Sequence, residues 1–180
     1  MRSASLISFI ALVVPWVAST TTLERLSLEE MAAKATSIVR GRVTASWCAA
    51  RGPLIYTHYR IQVTERWKGT GASEVEVVVP GGTAGGVRQS FAGTPRLGEG
   101  AEYVLFLWTG SSGLTHILGF TQGVFDVKRD AGGALIAARA ATSETLLDPA
   151  SGRPVTDEPL RLKLDDLNRR IRTALAAPAR

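Results

Sequence analysis

The alternation of apolar and polar side chains over residues 55–67 constrains the fold of this chain more than any other feature. Tyr59 and Ile61 fall on one face of an extended segment, and His58 and Arg60 fall on the other. A period of two is typical of a β-strand that has one face against a core and the other toward water. A helix would not separate these two sets of side chains, so the pattern indicates β-structure.

Several other segments have the length and pattern of strands and are separated by turns rich in Gly, Pro and Asp. These segments are residues 38–48, 75–79, 101–108, 114–120, 123–128 and 135–140. Gly41 lies inside the first of them and predicts a bulge or a sharp bend, as barrels need. We therefore predict a mostly β domain over residues 27–140. The expected architecture is an antiparallel β-barrel of five to seven strands, and a β-sandwich is the alternative.

A short helix is expected before the first of these strands. Ser27 and Glu30 form an S-x-x-E capping box, in which each residue bonds a free backbone N–H at the helix start. Met31 and Ala35 follow at helical spacing, so the helix is predicted to end near Thr36.

A second helix is expected at the C-terminal end, after a linker over residues 141–158. Asp157 can cap a helix that has Pro159 in its first turn, which predicts a helix over residues 159–176. Its apolar side chains share one face: Leu160, Leu164, Leu167, Ile171 and Leu175. We expect this amphipathic helix to pack on the sheet, and the alternative is a tethered helix that binds a partner.

The first residues have the pattern of a secretory signal peptide. Arg2 gives a positive start, and residues 6–18 form an apolar run that is too short for a membrane-spanning helix of about 20 residues. Small residues at Val17-Ala18-Ser19 predict cleavage after Ser19, so residues 1–19 are assigned to the leader. The mature chain is expected to be extracytoplasmic, either periplasmic or secreted. A buried N-terminal helix or an uncleaved anchor is the alternative.

The distribution of charge argues against two classes of partner. The chain has a net charge of +5, and the excess of basic residues lies in residues 160–180, whereas the body is balanced. A nucleic-acid face needs a basic stripe across the domain, so no nucleic-acid partner is predicted. Stable membrane insertion is not predicted either. The basic end is interpreted as a solvated helix face, with an acidic partner or an anionic membrane surface as the alternative.

Residues that commonly carry chemistry are few. His58 and His116 are the only histidines, and Cys48 is the only cysteine; their spacing matches no metal motif. Cys48 ends an apolar stretch and is expected to be a buried, inert thiol. Ser111 and Ser112 lie in a turn without the context of a nucleophile elbow. We therefore predict no catalytic residue, no metal site and no cofactor, and classify the chain as a non-enzyme.

The long Gly-rich connection over residues 80–100 is the first candidate for a contact surface. Long loops on compact domains are often functional, and such a loop can present backbone N–H groups to an anion. Tyr56 belongs to an aromatic group with Trp47 and Trp67 near the strand ends. The predicted partner-binding residues are Tyr56, Gly81, Gly82, Gly85 and Gly86. A flexible loop and buried aromatic side chains are the alternative interpretation.

The order of several short sequences resembles a known family. They are VRGRV at residues 39–43, YRIQVTERWKG at 59–69, VEV at 75–77 and LGEGAEYVLF at 97–106. Over residues 27–128 this order resembles the strand layout of TIMP/netrin-like OB-fold domains. It is also similar to uncharacterised exported bacterial proteins, some of which precede matrixin-type zinc protease domains. The resemblance implies an OB-like barrel.

The resemblance does not carry inhibitory residues over to this chain. Inhibitors of the TIMP type chelate the protease zinc with an N-terminal cysteine, whereas Cys48 is the only cysteine here. The leading hypothesis is therefore an exported, non-enzymatic binding or accessory module whose protein partner and oligomeric state are open. A modulator of a secreted metalloprotease, acting as inhibitor or prodomain, is the second hypothesis. An unrecognised hydrolase is the third, and it would require Cys48 to meet His58, or a serine to meet His116.

Overall fold

The computed structural model describes residues 22–142 and 144–177, and β-strands are its dominant secondary structure. One α-helix lies near each end of this range, so the prediction of a mostly β chain with two flanking helices is confirmed. The helices are α1 (Leu28–Lys34) and α2 (Leu164–Ala176). The strands are β1 (Thr22–Glu24), β2 (Ser37–Arg51), β3 (Leu54–Lys68), β4 (Glu74–Pro80), β5 (Gly82–Ala84), β6 (Val87–Gln89), β7 (Glu102–Thr109), β8 (Thr115–Ile117), β9 (Val124–Arg129), β10 (Leu135–Arg139), β11 (Thr145–Leu147), β12 (Pro154–Val155) and β13 (Leu160–Lys163). The predicted signal peptide, residues 1–19, lies outside the described residues.

The main sheet has eight strands and closes back on itself. Its order is β13-β10-β9-β7-β2-β3-β4-β8, and β8 also pairs with β7. Strands β7, β2, β3, β4 and β8 therefore form a ring of five. One pairing differs from the predicted all-antiparallel arrangement, because β4 and β8 run parallel and pair through Val78 and His116.

The long hairpin of β2 and β3 supplies two of the five strands of this ring. Both strands have 15 residues, and their register shifts at three points, one of them between Arg40 and Gly41. A Cβ atom at Gly41 would lie 2.6 Å from the carbonyl oxygen of Gln62 and from the Cγ2 atom of Ile61. Only glycine fits this close approach, so the bulge predicted at Gly41 is confirmed.

Two hydrophobic cores lie on the two faces of the ring strands. The inner core fills the ring with side chains that alternate along β3, β4 and β7, including Tyr59, Ile61 and Leu105. The outer core lies between the sheet and both helices and includes Phe106 and Ile171. Strand β7 is covered on both faces, which explains why residues 101–108 are almost continuously apolar.

Helix α1 is fixed at both of its ends by side chains. Ser27 and Glu30 form the predicted capping box, in which the Ser27 hydroxyl accepts a bond from the Glu30 N–H and the Glu30 carboxylate accepts one from the Ser27 N–H. At the other end, the Lys68 ammonium donates to the carbonyl oxygens of Ala32 and Ala33 at 2.7 and 2.8 Å. A cation on the last carbonyls of a helix is favourable.

The C-terminal part differs from its prediction in two ways. Residues 141–158 are more than a linker, because β11 pairs in parallel with β1 and antiparallel with β12. Helix α2 begins at Leu164 instead of residue 159, since the preceding residues form strand β13 against β10. Asp157 does not cap the helix; its carboxylate accepts bonds from Arg139 and from the Thr142 N–H. The expected packing of the helix against the sheet is present, through Leu167 among others.

Candidate functional site

A row of side chains crosses five strands on the outside of the ring. In the β-ladder, Trp47 of β2 lies opposite His58 of β3, and His58 lies opposite Val78 of β4. Val78 in turn pairs with His116 of β8, which lies opposite Trp108 of β7. Directly opposed residues project from the same face of a sheet. We call Trp47, His58, His116 and Trp108 the aromatic row.

The aromatic row is accessible, although one apolar residue in its middle is not. Trp108 is 46% exposed and Trp47 is 36% exposed. Val78 is only 1% exposed and belongs to neither hydrophobic core, so the neighbouring rings cover it. Exposed tryptophans on a shared apolar strip are a feature of recognition surfaces.

Neighbouring side chains hold one end of the row in place. The rings of Trp47 and His58 stack with centroids 5.2 Å apart, and the Arg60 guanidinium lies 5.5 Å from the Trp47 ring on the same side of the sheet. His58 Nδ1 lies 2.8 Å from a carboxylate oxygen of Glu76. These contacts orient the His58 imidazole and keep the Trp47 ring in a defined position.

A groove of about 260 Å³ lies at the other end of the row. Its walls are the rings of Tyr56, Trp108, His116 and Phe120, and Pro80 lies at its edge. The His116 ring centroid is 6.3 Å from those of both Tyr56 and Trp108. Phe120 is the one non-glycine residue with a positive φ in the described part of the chain, at 55°. Strained backbone of this kind is concentrated at functional sites.

Burial lowers the pKa of the His116 imidazole below its usual value, and a backbone bond at Val78 acts in the opposite direction. Desolvation penalises the charged form, so His116 is neutral at pH 7. The groove is therefore lined by uncharged rings, which suits an uncharged, apolar ligand.

A second feature is a cleft of about 440 Å³ on the opposite face of β2 and β3. The predicted Gly-rich loop over residues 80–100 lines part of it. Residues 82–89 of this loop form a small hairpin, because β5 pairs with β6, and residues 90–100 have no regular secondary structure. Gly85 and Gly86 both have positive φ, at 56° and 76°, as a tight two-residue hairpin turn requires. We call this cavity the hairpin cleft.

Gly81 and Gly82 bring the backbone of this hairpin close to the strands. Gly82 has φ of 133°, and a Cβ atom there would lie 2.6 Å from Cys48 Sγ and 2.9 Å from Thr57 Oγ1. The Gly81 N–H donates to the Ile55 carbonyl, and the Gly81 carbonyl accepts from the Thr57 hydroxyl. These glycines shape the wall of the hairpin cleft through close backbone approach.

Cys48 lies in the hairpin cleft and is exposed, so the expectation of a buried thiol is wrong. The apolar residues before Cys48 predicted burial of the thiol. Strand β2, however, continues past residues 37–42, which pair with β7, so Cys48 lies beyond the covered part of the strand. Cys48 lies opposite Thr57, whereas Trp47 lies opposite His58. Alternation therefore places the Cys48 thiol and the His58 imidazole on opposite faces of the hairpin.

The structure divides the predicted partner-binding residues between the two features. Tyr56 lines the groove of the aromatic row, while Gly81 and Gly82 line the hairpin cleft. Gly85 and Gly86 line neither and form the turn between β5 and β6. Trp67 belongs to neither, since it is buried in the outer core and its indole N–H donates to Glu65. The aromatic row was not predicted, because the pattern of side chains within one strand does not show which residues of the other four strands lie opposite it.

Three further observations bear on function. Within residues 22–142 and 144–177, no three His, Cys, Asp or Glu side chains are grouped as metal ligands would be. None of the helices in these ranges is both long and apolar enough to cross a membrane. Comparisons of the chain with protein-family models, with curated proteins and with solved structures found no match.

Proposed function

We propose that this chain is an exported, non-enzymatic binding or accessory module that docks an extended, proline-rich segment of a protein partner on the aromatic row. The observation that carries the proposal is the alignment of Trp47, His58, His116 and Trp108 across five strands, with both tryptophans exposed. Aromatic side chains supply large contact area at a low cost in conformational entropy, which makes them common anchors of recognition surfaces.

The pairing of the strands around the row favours recognition through side chains. His58, Val78 and His116 lie on strands that have a neighbour on both sides, so a partner cannot add a strand there. Strand β2 pairs at Trp47 with β3 alone. Polyproline segments dock instead into grooves lined by aromatic rings, and they are already extended before they bind. The five strands form a ring, so the row follows its curved outer surface, and the groove beside Trp108 and Tyr56 is the part that a short polyproline segment can enter.

The groove end of the row favours an uncharged occupant, whereas the Arg60 guanidinium lies at the Trp47 end. Glu76 and His58 bond each other, and His116 is neutral because burial lowers its pKa. A strongly acidic or basic peptide would gain nothing at the groove and would lose hydration. A proline-rich segment offers apolar rings that fit between Trp108 and Tyr56.

The location that we propose for this module rests on the sequence, and the proposed fold rests on the ring of strands. The leader over residues 1–19 supports an extracytoplasmic location, and the ring of five strands with bulges in β2 supports an OB-like barrel of the TIMP/netrin type. Barrel closure needs tilted strands and local bends, which the register shifts beside Gly41 provide.

Titration with a synthetic proline-rich peptide of about eight residues, followed by tryptophan fluorescence, tests this proposal. We expect Trp108→Ala to weaken peptide binding at least tenfold, because truncation of an aromatic anchor commonly costs about 2 kcal/mol or more. Phe91→Ala is the matched control, since Phe91 is 41% exposed but lines the hairpin cleft. Pull-down from the extracytoplasmic fraction then identifies the natural partner with the same pair of variants.

Two results would contradict the proposal. One is an absence of saturable binding by any proline-rich peptide together with identical pull-down partners for wild type and Trp108→Ala. The other is equal loss of binding in Phe91→Ala and Trp108→Ala, which would move the contact surface away from the row.

A further inference from the structure

The hairpin cleft is lined by two exposed arginines that have no ion-pair partner within the described part of the chain. Arg88 and Arg96 line it, and neither guanidinium makes a hydrogen bond or an ion pair with another described residue. The lining includes no carboxylate. Glu99 lies beside the cleft, where one of its carboxylate oxygens accepts from the N–H and the hydroxyl of the lining residue Ser46; two arginines against this one carboxylate leave a net positive charge. Two free guanidiniums on one cavity favour an anionic ligand.

Buried hydroxyl groups in the cleft have unused bonding capacity. Tyr59 is 5% exposed, and its oxygen accepts a bond from the Leu97 N–H at 3.3 Å, which leaves its own O–H free to donate. The Thr94 hydroxyl is buried without a partner. Buried polar atoms without partners are rare in native proteins and need an explanation. An oxyanion in the cleft would accept from both hydroxyls.

The lining also has an apolar part, beside polar side chains that include Ser46, Thr57 and Gln89. Val79, Pro95 and Leu97 are buried, and Phe91 closes one side beside Gly81. A cavity of about 440 Å³ is of the size that holds a small organic molecule. The ligand that fits therefore has one anionic end and an apolar body.

We propose that the hairpin cleft binds a small organic carboxylate, with its oxygens at Arg88, Arg96 and the Tyr59 hydroxyl and its apolar body between Phe91 and Leu97. Arg96 acts on the Tyr59 phenol electrostatically, so the two groups share one region of the cleft. The site lies on the face opposite the aromatic row and does not depend on the function proposed for that row.

Calorimetry of the full mature chain with phenylacetate, phenylacetamide and inorganic phosphate tests the proposal. Phenylacetate is expected to bind saturably, and the neutral amide is expected to bind at least tenfold more weakly. Arg88→Gln and Arg96→Gln should each weaken phenylacetate binding about tenfold, as loss of a charge-assisted bond does. Arg161→Gln, an exposed arginine on β13, is the control and should change nothing.

The thiol of Cys48 reports where the ligand sits. Bound phenylacetate should slow the reaction of Cys48 with the neutral reagent 4,4′-dithiodipyridine, because the thiol lines the same cleft. Equal binding of acid and amide would overturn the proposal, and so would phosphate binding as tightly as phenylacetate. Binding without protection of Cys48, or no saturable heat up to about 10 mM ligand, would overturn it as well.

Discussion

Replacing Gly82 by alanine should lift the β5–β6 hairpin from the strands beneath it. The alanine Cβ would lie 2.6 Å from Cys48 Sγ, and the backbone would have to keep φ at 133°. Backbone strain of this kind costs about 1–3 kcal/mol, and overpacking costs about 1–3 kcal/mol more. The total strain is therefore about 2–6 kcal/mol.

The hairpin is held by a comparable energy. Gly81 makes two hydrogen bonds to β3, and the Gln89 side chain makes two more, accepting from the Ile55 N–H and donating to the Pro53 carbonyl. Four bonds at about 1 kcal/mol each give about 4 kcal/mol. The strain energy that alanine introduces is thus similar to the hydrogen-bond energy that holds the hairpin on β3. The hairpin should open locally while the rest of the domain stays folded, since isolated two-stranded hairpins are marginal.

Limited trypsin digestion measures this opening. Arg88 lies in β6, so cleavage after it requires the hairpin to open, and its rate follows the open population. We expect Gly82→Ala to raise the rate at least tenfold and to lower the free energy of urea unfolding by about 2–4 kcal/mol, because the variant either keeps the strain or loses the contacts of the hairpin. Gly85→Ala is the matched control, because a Cβ atom there has nothing within 4 Å. Its left-handed φ costs about 1 kcal/mol, which predicts a rise of about fivefold. Equal cleavage rates in the two variants would refute the reasoning.

Three further predictions concern stability. Gln122→Leu should lower the free energy of unfolding by about 2–4 kcal/mol in urea titrations, because the buried Gln122 amide accepts from the Leu26 N–H and donates to the Glu24 carbonyl. Lys68→Met should cost about 1–2 kcal/mol by the same measurement, since it frees two carbonyls at the end of α1. The third concerns pH. Burial lowers the pKa of His116 in the folded state. The stability that comes from its neutral imidazole is therefore fully present above the unfolded-state pKa of about 6.5, and it is lost as the pH falls through the folded-state pKa. The free energy of unfolding should therefore fall as the pH falls below about 6.5 in wild type and fall less in His116→Asn; equal slopes would contradict this.

Local sequence patterns predicted the elements whose stabilising contacts are also local. The capping box at Ser27 and the two faces of β3 need only residues a few positions apart, and both are present. The segment 160–164 was ambiguous because Leu160 and Leu162 fit a strand, while Leu160 and Leu164 fit a helix. Pairing with β10 decides in favour of the strand, and that partner is distant in sequence.

The candidate sites were the least predictable parts of the molecule, because strand register creates them. Cys48 and Trp47 are adjacent in sequence but belong to the hairpin cleft and the aromatic row, respectively. The glycines at 81–86 are visible in the sequence. Their roles in a tight turn and a close backbone contact depend on where β2 and β3 lie beneath them. No pattern within one strand indicates that Trp108 and Trp47 share a surface.

Among the described strands, the main sheet is open at one end of its order. The end at β8 turns back onto β7, whereas β13 has a single neighbour, β10. An open strand edge is a template for aggregation, and charged side chains on it are a common protection. Strand β13 carries Arg161 and Lys163, both exposed. Part of the excess positive charge of the C-terminal region therefore lies where a second chain would otherwise add to the sheet, and replacing both residues by threonine should favour fibrous assembly.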